Sequence, residues 1–117
     1  MKNVIKSKSF QFSVKIVNLY KQITAEKKEF VMSRQLLKSG TSIGANVREA
    51  EQAESKSDFI HKLSISLKEA NETEYWLDLL YETSYLDRLE YESIHNDVKE
   101  LLKILVSIIK TSKSNRT

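Results

Sequence analysis

The stretch RQLLKSGTSIGANVREAEQAE, residues 34–54, decides the fold of this chain of 117 residues. It holds both glycines of the sequence, Gly40 and Gly44, and the chain contains no proline. Small and apolar residues recur in it at alternating spacings of four and three: Leu36, Gly40, Ile43, Val47 and Ala50. That spacing is typical of the buried seam of a bundle helix. Because the two glycines share one face, the stretch predicts a central helix against which a neighbouring helix packs closely.

The residues around this stretch predict three more helices with the same periodicity. We expect an all-α fold, an antiparallel up-down-up-down four-helix bundle, because every connection between the periodic segments is short. The predicted helices lie near residues 9–24, 30–54, 56–85 and 88–111. A chain of this length can bury one core without a disulfide or a metal, so residues 1–117 are expected to form a single domain with flexible tails at 1–8 and 112–117.

Local polar residues predict where the helices begin. Ser9 is the expected N-cap of the first helix. The runs SKSD at 55–58 and DRLE at 87–90 have the form of capping boxes, and they predict the starts of the third and fourth helices. The charged run AEKKE at 25–29 is the expected connection between the first two helices, although it contains no glycine or proline that would force a helix to stop.

The predicted core seam of the third helix contains one carboxylate, Glu74. The seam consists of Ile60, Leu63, Leu67, Ala70, Glu74, Leu77 and Tyr81. Glu74 is either a buried carboxylate poised for chemistry or one that a Tyr, Ser or Asn of a neighbouring helix hydrogen-bonds. Because we expect no second acid and no histidine on the same layer, the structural interpretation is favoured.

The sequence argues against catalysis and against a metal site. It has no cysteine, and no serine lies in a recognisable nucleophile motif. Asp58 with His61 and Glu92 with His95 have the spacing found in di-iron carboxylate bundles, but antiparallel helices would separate the two histidines by roughly 25 Å. We therefore expect no catalytic, cofactor-binding or metal-binding residues and no small-molecule substrate.

The net charge of +3 is unevenly distributed along the chain. Residues 1–34 carry eight Lys or Arg against two acids, whereas residues 55–86 carry three against six. Such a pattern fits intramolecular pairing, a subunit interface or a surface for nucleic acid. The candidate nucleic-acid-binding residues are Lys15, Lys21, Lys27, Lys28, Arg34 and Lys38. The polar, lysine-bearing first ten residues resemble neither a signal peptide nor a membrane span, so we expect a cytoplasmic protein with no membrane contact.

A group of aromatic residues and the width of two apolar faces bear on contacts with a partner. Tyr and Trp residues near the link between the third and fourth helices could stack on nucleobases, although a role in the core or an interface is more economical. They are Tyr75, Trp76, Tyr81, Tyr85 and Tyr91. The apolar faces of the first and fourth helices are also wider than one bundle requires, and we therefore predict a homo-oligomer.

An ordered series of motifs resembles one known family. The motifs are QL at 35–36, SIGAN at 42–46, EA at 49–50, SDFI at 57–60 and KEANET at 68–73. Together they resemble the four-helix-bundle proteins that are encoded in intervening sequences of bacterial 23S ribosomal RNA genes, a group to which the accessory variability determinants of diversity-generating retroelements look related. The resemblance spans about residues 9–110 and departs from the family at Gly44, where proline is frequent.

The resemblance implies a non-enzymatic bundle that assembles into a ring, commonly a pentamer. It also implies a basic surface that binds RNA or DNA in some members, or a reverse transcriptase. The resulting hypothesis is an oligomeric bundle that binds nucleic acid through its basic residues. The alternative is a protein-protein interaction scaffold, in which the lysines only solvate the bundle or pair with the acidic third helix.

Overall fold

The computed structural model describes the backbone of residues 2–115 and the side-chain environments of residues 4–115. Its elements are α1 (Lys2–Gln22), a π-helical turn (Ile23–Lys27), α2 (Met32–Glu51), α3 (Lys56–Glu82) and α4 (Arg88–Ser114). No strand occurs within residues 2–115. The prediction of an all-α fold with four helices is confirmed.

The four helices form an elongated bundle that measures 50 × 20 × 20 Å. Helix α1 packs against α2 and α4, and α3 packs against α2 and α4. As α2 advances from Gly40 to Gly44, its contacts on α1 move back from Ile16 to Ser9. The same holds between α2 and α3, between α3 and α4, and between α1 and α4: residues later in one helix contact residues earlier in the other. Neighbouring helices are therefore antiparallel, as the up-down-up-down order requires.

The buried seam of α3 differs from the sequence assignment at three positions, and two of them hold polar side chains. The seam buries Ser66, Thr73 and Leu80 in place of the predicted Leu67, Glu74 and Tyr81. The Ser66 hydroxyl donates to the Ile43 carbonyl at 2.9 Å, and the Thr73 hydroxyl lies 3.0 Å from the Ser39 hydroxyl. Because these hydroxyls are hydrogen-bonded, their burial carries little penalty, and their small size lets α2 and α3 pack closely.

The predicted start of α1 at Ser9 is wrong, because the helix begins at Lys2. Ile5 is only 3% exposed and extends the buried face of α1 toward the N-terminus, so the segment predicted as a flexible tail is helical from Lys2 onward. Ser9 lies inside the helix, where its hydroxyl donates to the Lys6 carbonyl at 3.2 Å. At the other end α4 extends to Ser114, while Met1 and residues 116–117 lie outside the described residues.

The predicted starts of α3 and α4 are confirmed by their caps. The Ser55 hydroxyl accepts the backbone N–H of Asp58 at 3.0 Å, and the Asp87 carboxylate accepts that of Glu90 at 2.8 Å. The helix ends are less accurate, since α2 ends three residues before the predicted boundary and α3 likewise. A left-handed residue, Ser84, stops the chain from continuing α3.

The two glycines of α2 lie directly against α1. A Cβ atom added at Gly40 would lie 2.8 Å from Cγ1 and 2.9 Å from Cγ2 of Ile16, a fully buried side chain. At Gly44 the added Cβ would lie 3.2 Å from the backbone oxygen of Ser9. Both positions therefore use the absence of a side chain to bring two helix backbones together.

Replacing Gly40 by leucine is expected to destabilise the bundle by about 1–3 kcal/mol, because the new side chain must displace the branched Ile16 side chain or separate α1 from α2. The measurement is the free energy of unfolding in urea. The control is Gln35→Leu, which adds leucine to an exposed position of the same helix. Equal or higher stability of Gly40→Leu would contradict this packing arrangement, since glycine in an exposed helix costs up to about 1 kcal/mol.

Candidate functional site

Lys15, one of the six predicted nucleic-acid-binding residues, is engaged in a contact between two helices. Its ammonium group pairs with the Asp97 carboxylate of α4 and donates to the Ser93 hydroxyl at 3.2 Å. The pair joins α1 to α4 on the surface, where such a contact contributes little to stability. Because its charge is matched by Asp97, Lys15 does not belong to the candidate site.

The other five predicted residues are exposed cations without an ion-pair partner. None of them has a carboxylate within 4.0 Å among the described residues. They lie on the last turn of α1, on the π-helical turn and its end, and on the first two turns of α2: Lys21, Lys27, Lys28, Arg34 and Lys38. We call this set the basic end of the α1–α2 pair, and it is the candidate functional site.

Several cations elsewhere in the chain do have carboxylate partners. Lys6 pairs with Glu51 at 3.2 Å, and Lys62 pairs with Glu49 at 2.9 Å. Lys8 pairs with a carboxylate of α4 at 3.2 Å. These contacts link α1, α3 and α4 to their neighbours far from the basic end. The cations that lack a carboxylate partner therefore include a concentrated group at the connection between α1 and α2.

Glu29 holds the connection that carries this group. Lys28 adopts a left-handed backbone conformation with φ of 55°, and this ends the π-helical turn. The Glu29 carboxylate then accepts the backbone N–H groups of Val31, Met32 and Ser33 at 2.8–3.0 Å. In return the Ser33 hydroxyl donates to the Glu29 carbonyl at 2.8 Å. A single buried side chain thus caps α2 and fixes the path of the preceding residues.

The charge of Glu29 is stabilised by the helix that it caps. Burial alone would raise the pKa of the Glu29 carboxyl, but hydrogen bonds from the backbone N–H groups of Met32, Ser33 and Val31 outweigh burial and hold that pKa below its ordinary value. The donors at the N-terminus of α2 are consequently occupied by the protein itself. Phosphate groups that approach this end must therefore be bound by side chains rather than by the helix terminus.

The same end of the bundle is acidic on the side of α3 and α4. Residues 69–97 carry nine carboxylates and a single basic residue, Arg88. The two sides meet where the Gln22 amide donates to the Glu90 carboxylate at 2.7 Å. Burial and the charge of Glu72 raise the pKa of Glu69, and Lys38 partly offsets that effect. One end of the molecule therefore has a positive half and a negative half.

A polar and aromatic cluster joins α3 to α4 within the acidic half. The Tyr91 hydroxyl donates to the Asp78 carboxylate at 2.6 Å, and its ring stacks on Tyr81 at a centroid distance of 4.2 Å. Burial and the hydrogen bond to Asp78 raise the pKa of the Tyr91 phenol well above its ordinary value. This phenol therefore keeps its proton, and its hydrogen bond to Asp78 helps to hold α3 and α4 in register.

The prediction that no histidine shares the layer of Glu74 is wrong. The Glu74 carboxylate lies 2.9 Å from Nε2 of His95, which is also 3.7 Å from the Asp78 carboxylate. Glu74 and Asp78 lie one turn apart on α3, and His95 faces them from α4. The sequence places these residues within their own helices, but it does not show that His95 contacts Glu74. That contact could be predicted only if the alignment of α3 against α4 were known. Glu74 is hydrogen-bonded to a neighbouring helix, although its partner is a histidine.

The two Asp/Glu–histidine pairs named in the sequence do not form local sites. Glu92 pairs with Arg88 at 3.0 Å, whereas His95 contacts α3, and His61 is exposed. Among the described residues, no group of three or more His, Cys, Asp or Glu has the geometry to hold a metal ion. Within the same part of the chain, no helix has the length and apolar character needed to cross a bilayer.

The fold and the site define a class of protein: a small antiparallel four-helix bundle with a cationic group at the end of its first helix pair. The family model of the 23S rRNA-intervening sequence protein matches residues 1–107, and the chain belongs to that family. It is similar to a crystal structure of a protein with unknown function from the S23 ribosomal protein family of Bacteroides thetaiotaomicron VPI-5482. The two are 67% identical, the match covers 94% of this chain and 99% of that chain, and the TM-score is 0.92. Curated proteins give no significant match.

Glu29→Gln is expected to destabilise the protein at pH 7 by about 1–2 kcal/mol, because the substitution weakens the cap of α2. The folded-state pKa of Glu29 is depressed, so its stabilising effect is present above the ordinary pKa of about 4.3 and is lost as the pH falls through the folded-state value. Urea unfolding at several pH values should show the two proteins converging in acid. Glu26→Gln, at an exposed carboxylate on the preceding turn, is the control. A constant difference down to pH 3 would refute the role of the charge.

Proposed function

We propose that this protein is a non-enzymatic, cytoplasmic homo-oligomer that binds RNA or DNA through its basic end. The observation that carries the proposal is the group of five exposed cations at residues 21–38 without carboxylate partners among the described residues. Nucleic-acid backbones are bound mainly through such cations, because each phosphate contact releases a condensed counterion. The group contains no side-chain pattern that reads base sequence, so the proposed binding is not sequence-specific.

The rigidity of the α1–α2 connection favours binding by these side chains. Lys27 and Lys28 lie on the turn that Glu29 fixes, and Arg34 lies on the first turns of the helix that Glu29 caps. Their backbone is already ordered before a ligand arrives, so binding has to order only the side chains. A few phosphate contacts per subunit are individually weak, and several copies of the chain in one assembly would make them strong.

Exposed apolar residues support the proposed self-assembly. On α1, Val4, Phe10 and Val14 are 46%, 53% and 45% exposed, and Val106 of α4 is 46% exposed. These are the residues that make the apolar faces of α1 and α4 wider than the monomer's core requires. Five subunits, and a reverse transcriptase as a further partner, are implied by the family resemblance alone.

A protein-interaction scaffold is the second candidate, and one groove favours it. The groove lies between α1 and α2 beside Gly44, and its walls are Phe10, Ser13, Thr41, Ala45 and Arg48. The Arg48 guanidinium lies 5.1 Å from the centre of the Phe10 ring. In this alternative the groove receives another protein, and the cations of the basic end remain solvated.

Nucleic-acid binding is tested by fluorescence anisotropy with a structured RNA and a DNA duplex at about 50 and about 200 mM salt. Two or more phosphate contacts should weaken binding at least about tenfold between these salt concentrations. Lys27→Glu/Lys28→Glu should abolish binding. Lys103→Glu/Lys110→Glu is the matched control, because it makes the same charge change on exposed residues of α4. If the unchanged protein leaves both ligands free at the lower salt, or if both variants bind alike, the scaffold is the better account.

Self-assembly is tested by light scattering at micromolar concentration, where we expect a mass several times that of one chain. Val14→Glu places a charge in the exposed apolar strip of α1 and should dissociate the assembly while the fold is kept. Leu89→Glu, at a residue that is 80% exposed on α4, provides a control for adding a charge at an exposed apolar position elsewhere. A monomeric mass for the unchanged protein would rule out the oligomer.

A further inference from the structure

An aromatic side chain projects from the basic end. Phe30 is 52% exposed and the adjacent Val31 is 75% exposed. Both lie in the connection between the π-helical turn and α2, among the cations Lys27, Lys28 and Arg34. Single exposed apolar residues are common on protein surfaces, but an aromatic ring within a group of unpaired cations combines the two features that bind single-stranded nucleic acid.

The local hydrogen bonds explain why Phe30 remains outside the core. Glu29 and Ser33 occupy the inward positions on either side of it and are 9% and 0% exposed. The Glu29 carboxylate accepts the backbone N–H groups of residues 31–33, and the Ser33 hydroxyl donates to the Glu29 carbonyl, all at 2.8–3.0 Å. The chain cannot rotate to bury the Phe30 ring without breaking these bonds, which cap α2. The ring is therefore presented to solvent by a rigid connection.

We propose that Phe30 stacks on an unpaired base, which makes single strands and loops the preferred ligand of the basic end. This inference rests on the proposed nucleic-acid binding and specifies the class of ligand. In a duplex the faces of the bases are stacked on one another, and only the cations could then make contact. In a single strand a base can turn onto the Phe30 ring while Lys27, Lys28 or Arg34 contacts the flanking phosphates.

Two features of the structure favour a nucleic acid over an anionic membrane as the ligand of Phe30. The acidic half formed by residues 69–97 lies at the same end of the bundle, and a flat anionic surface would repel it. A single strand is narrow enough to follow the α1–α2 side alone. The apolar area that Phe30 and Val31 offer is also small for membrane insertion, whereas one ring is sufficient to stack a base.

The test compares an unstructured RNA of about 20 nucleotides with its duplex by fluorescence anisotropy, using the full-length protein. Phe30→Ala should weaken binding of the single strand about 5- to 150-fold and leave duplex binding unchanged. Phe30→Trp should retain the affinity for the single strand, and Phe30→Leu should lose it, because stacking needs a ring. Tyr75→Ala is the control, since Tyr75 is an aromatic residue of α3 with a similar exposure of 57%. Circular-dichroism melts establish that each variant is folded.

The outcomes separate this inference from the function on which it rests. If the unchanged protein binds neither nucleic acid, the proposed function fails and the inference fails with it. If Lys27→Glu/Lys28→Glu abolishes binding while Phe30→Ala binds the single strand normally, the function stands and the stacking role of Phe30 is overturned. The stacking role is also overturned if Phe30→Ala loses the same affinity for the single strand and the duplex, or if Phe30→Leu retains its affinity for the single strand. Binding to phosphatidylserine vesicles that depends on Phe30 would overturn it as well.

Discussion

The close approach of α1 and α2 is the constraint on which the rest of the structure depends. Gly40 leaves room for the buried Ile16 side chain, and Gly44 leaves room for the backbone of Ser9. Two helices held this closely need a compact connection. The chain provides one through a π-helical turn, a left-handed residue and a carboxylate that caps the next helix. The cations and the aromatic ring of the basic end are displayed by that connection, so the packing of the core determines the geometry of the candidate site.

The fold could be predicted wherever a local pattern was sufficient. The seam of α2 and the caps of α3 and α4 depend on residues within one or two turns of each other, and those predictions are confirmed. The start of α1 was missed because the lysines near the N-terminus resemble a tail, whereas Ile5 continues the buried face. The core positions of Ser66 and Thr73 could not be predicted, because their burial depends on hydrogen-bonding partners supplied by α2.

The candidate site was predictable as a group of charges but not as a geometry. Counting charges identified the basic segment, yet only the contact with Asp97 shows that Lys15 is engaged elsewhere. Glu29 lies in a charged run that resembles a solvated turn, and its role as a cap follows from backbone donors that exist only once α2 has formed. The contact between Glu74 and His95 depends on how α3 and α4 are aligned, which the connection between them sets.

The separation of charge at one end gives the molecule a dipole moment across its width. Residues 21–38 carry five basic residues against two acids, and residues 69–97 carry nine acids against one arginine. In the field of a polyanion such a dipole experiences a torque about the long axis of the bundle. The bundle measures 50 by 20 Å, so its length is two and a half times its width. The molecule would roll until its acidic side faces away, before any of its atoms touches the polyanion. Molecules that collide in the wrong orientation would thus be corrected by rotation, and a larger share of encounters would be productive.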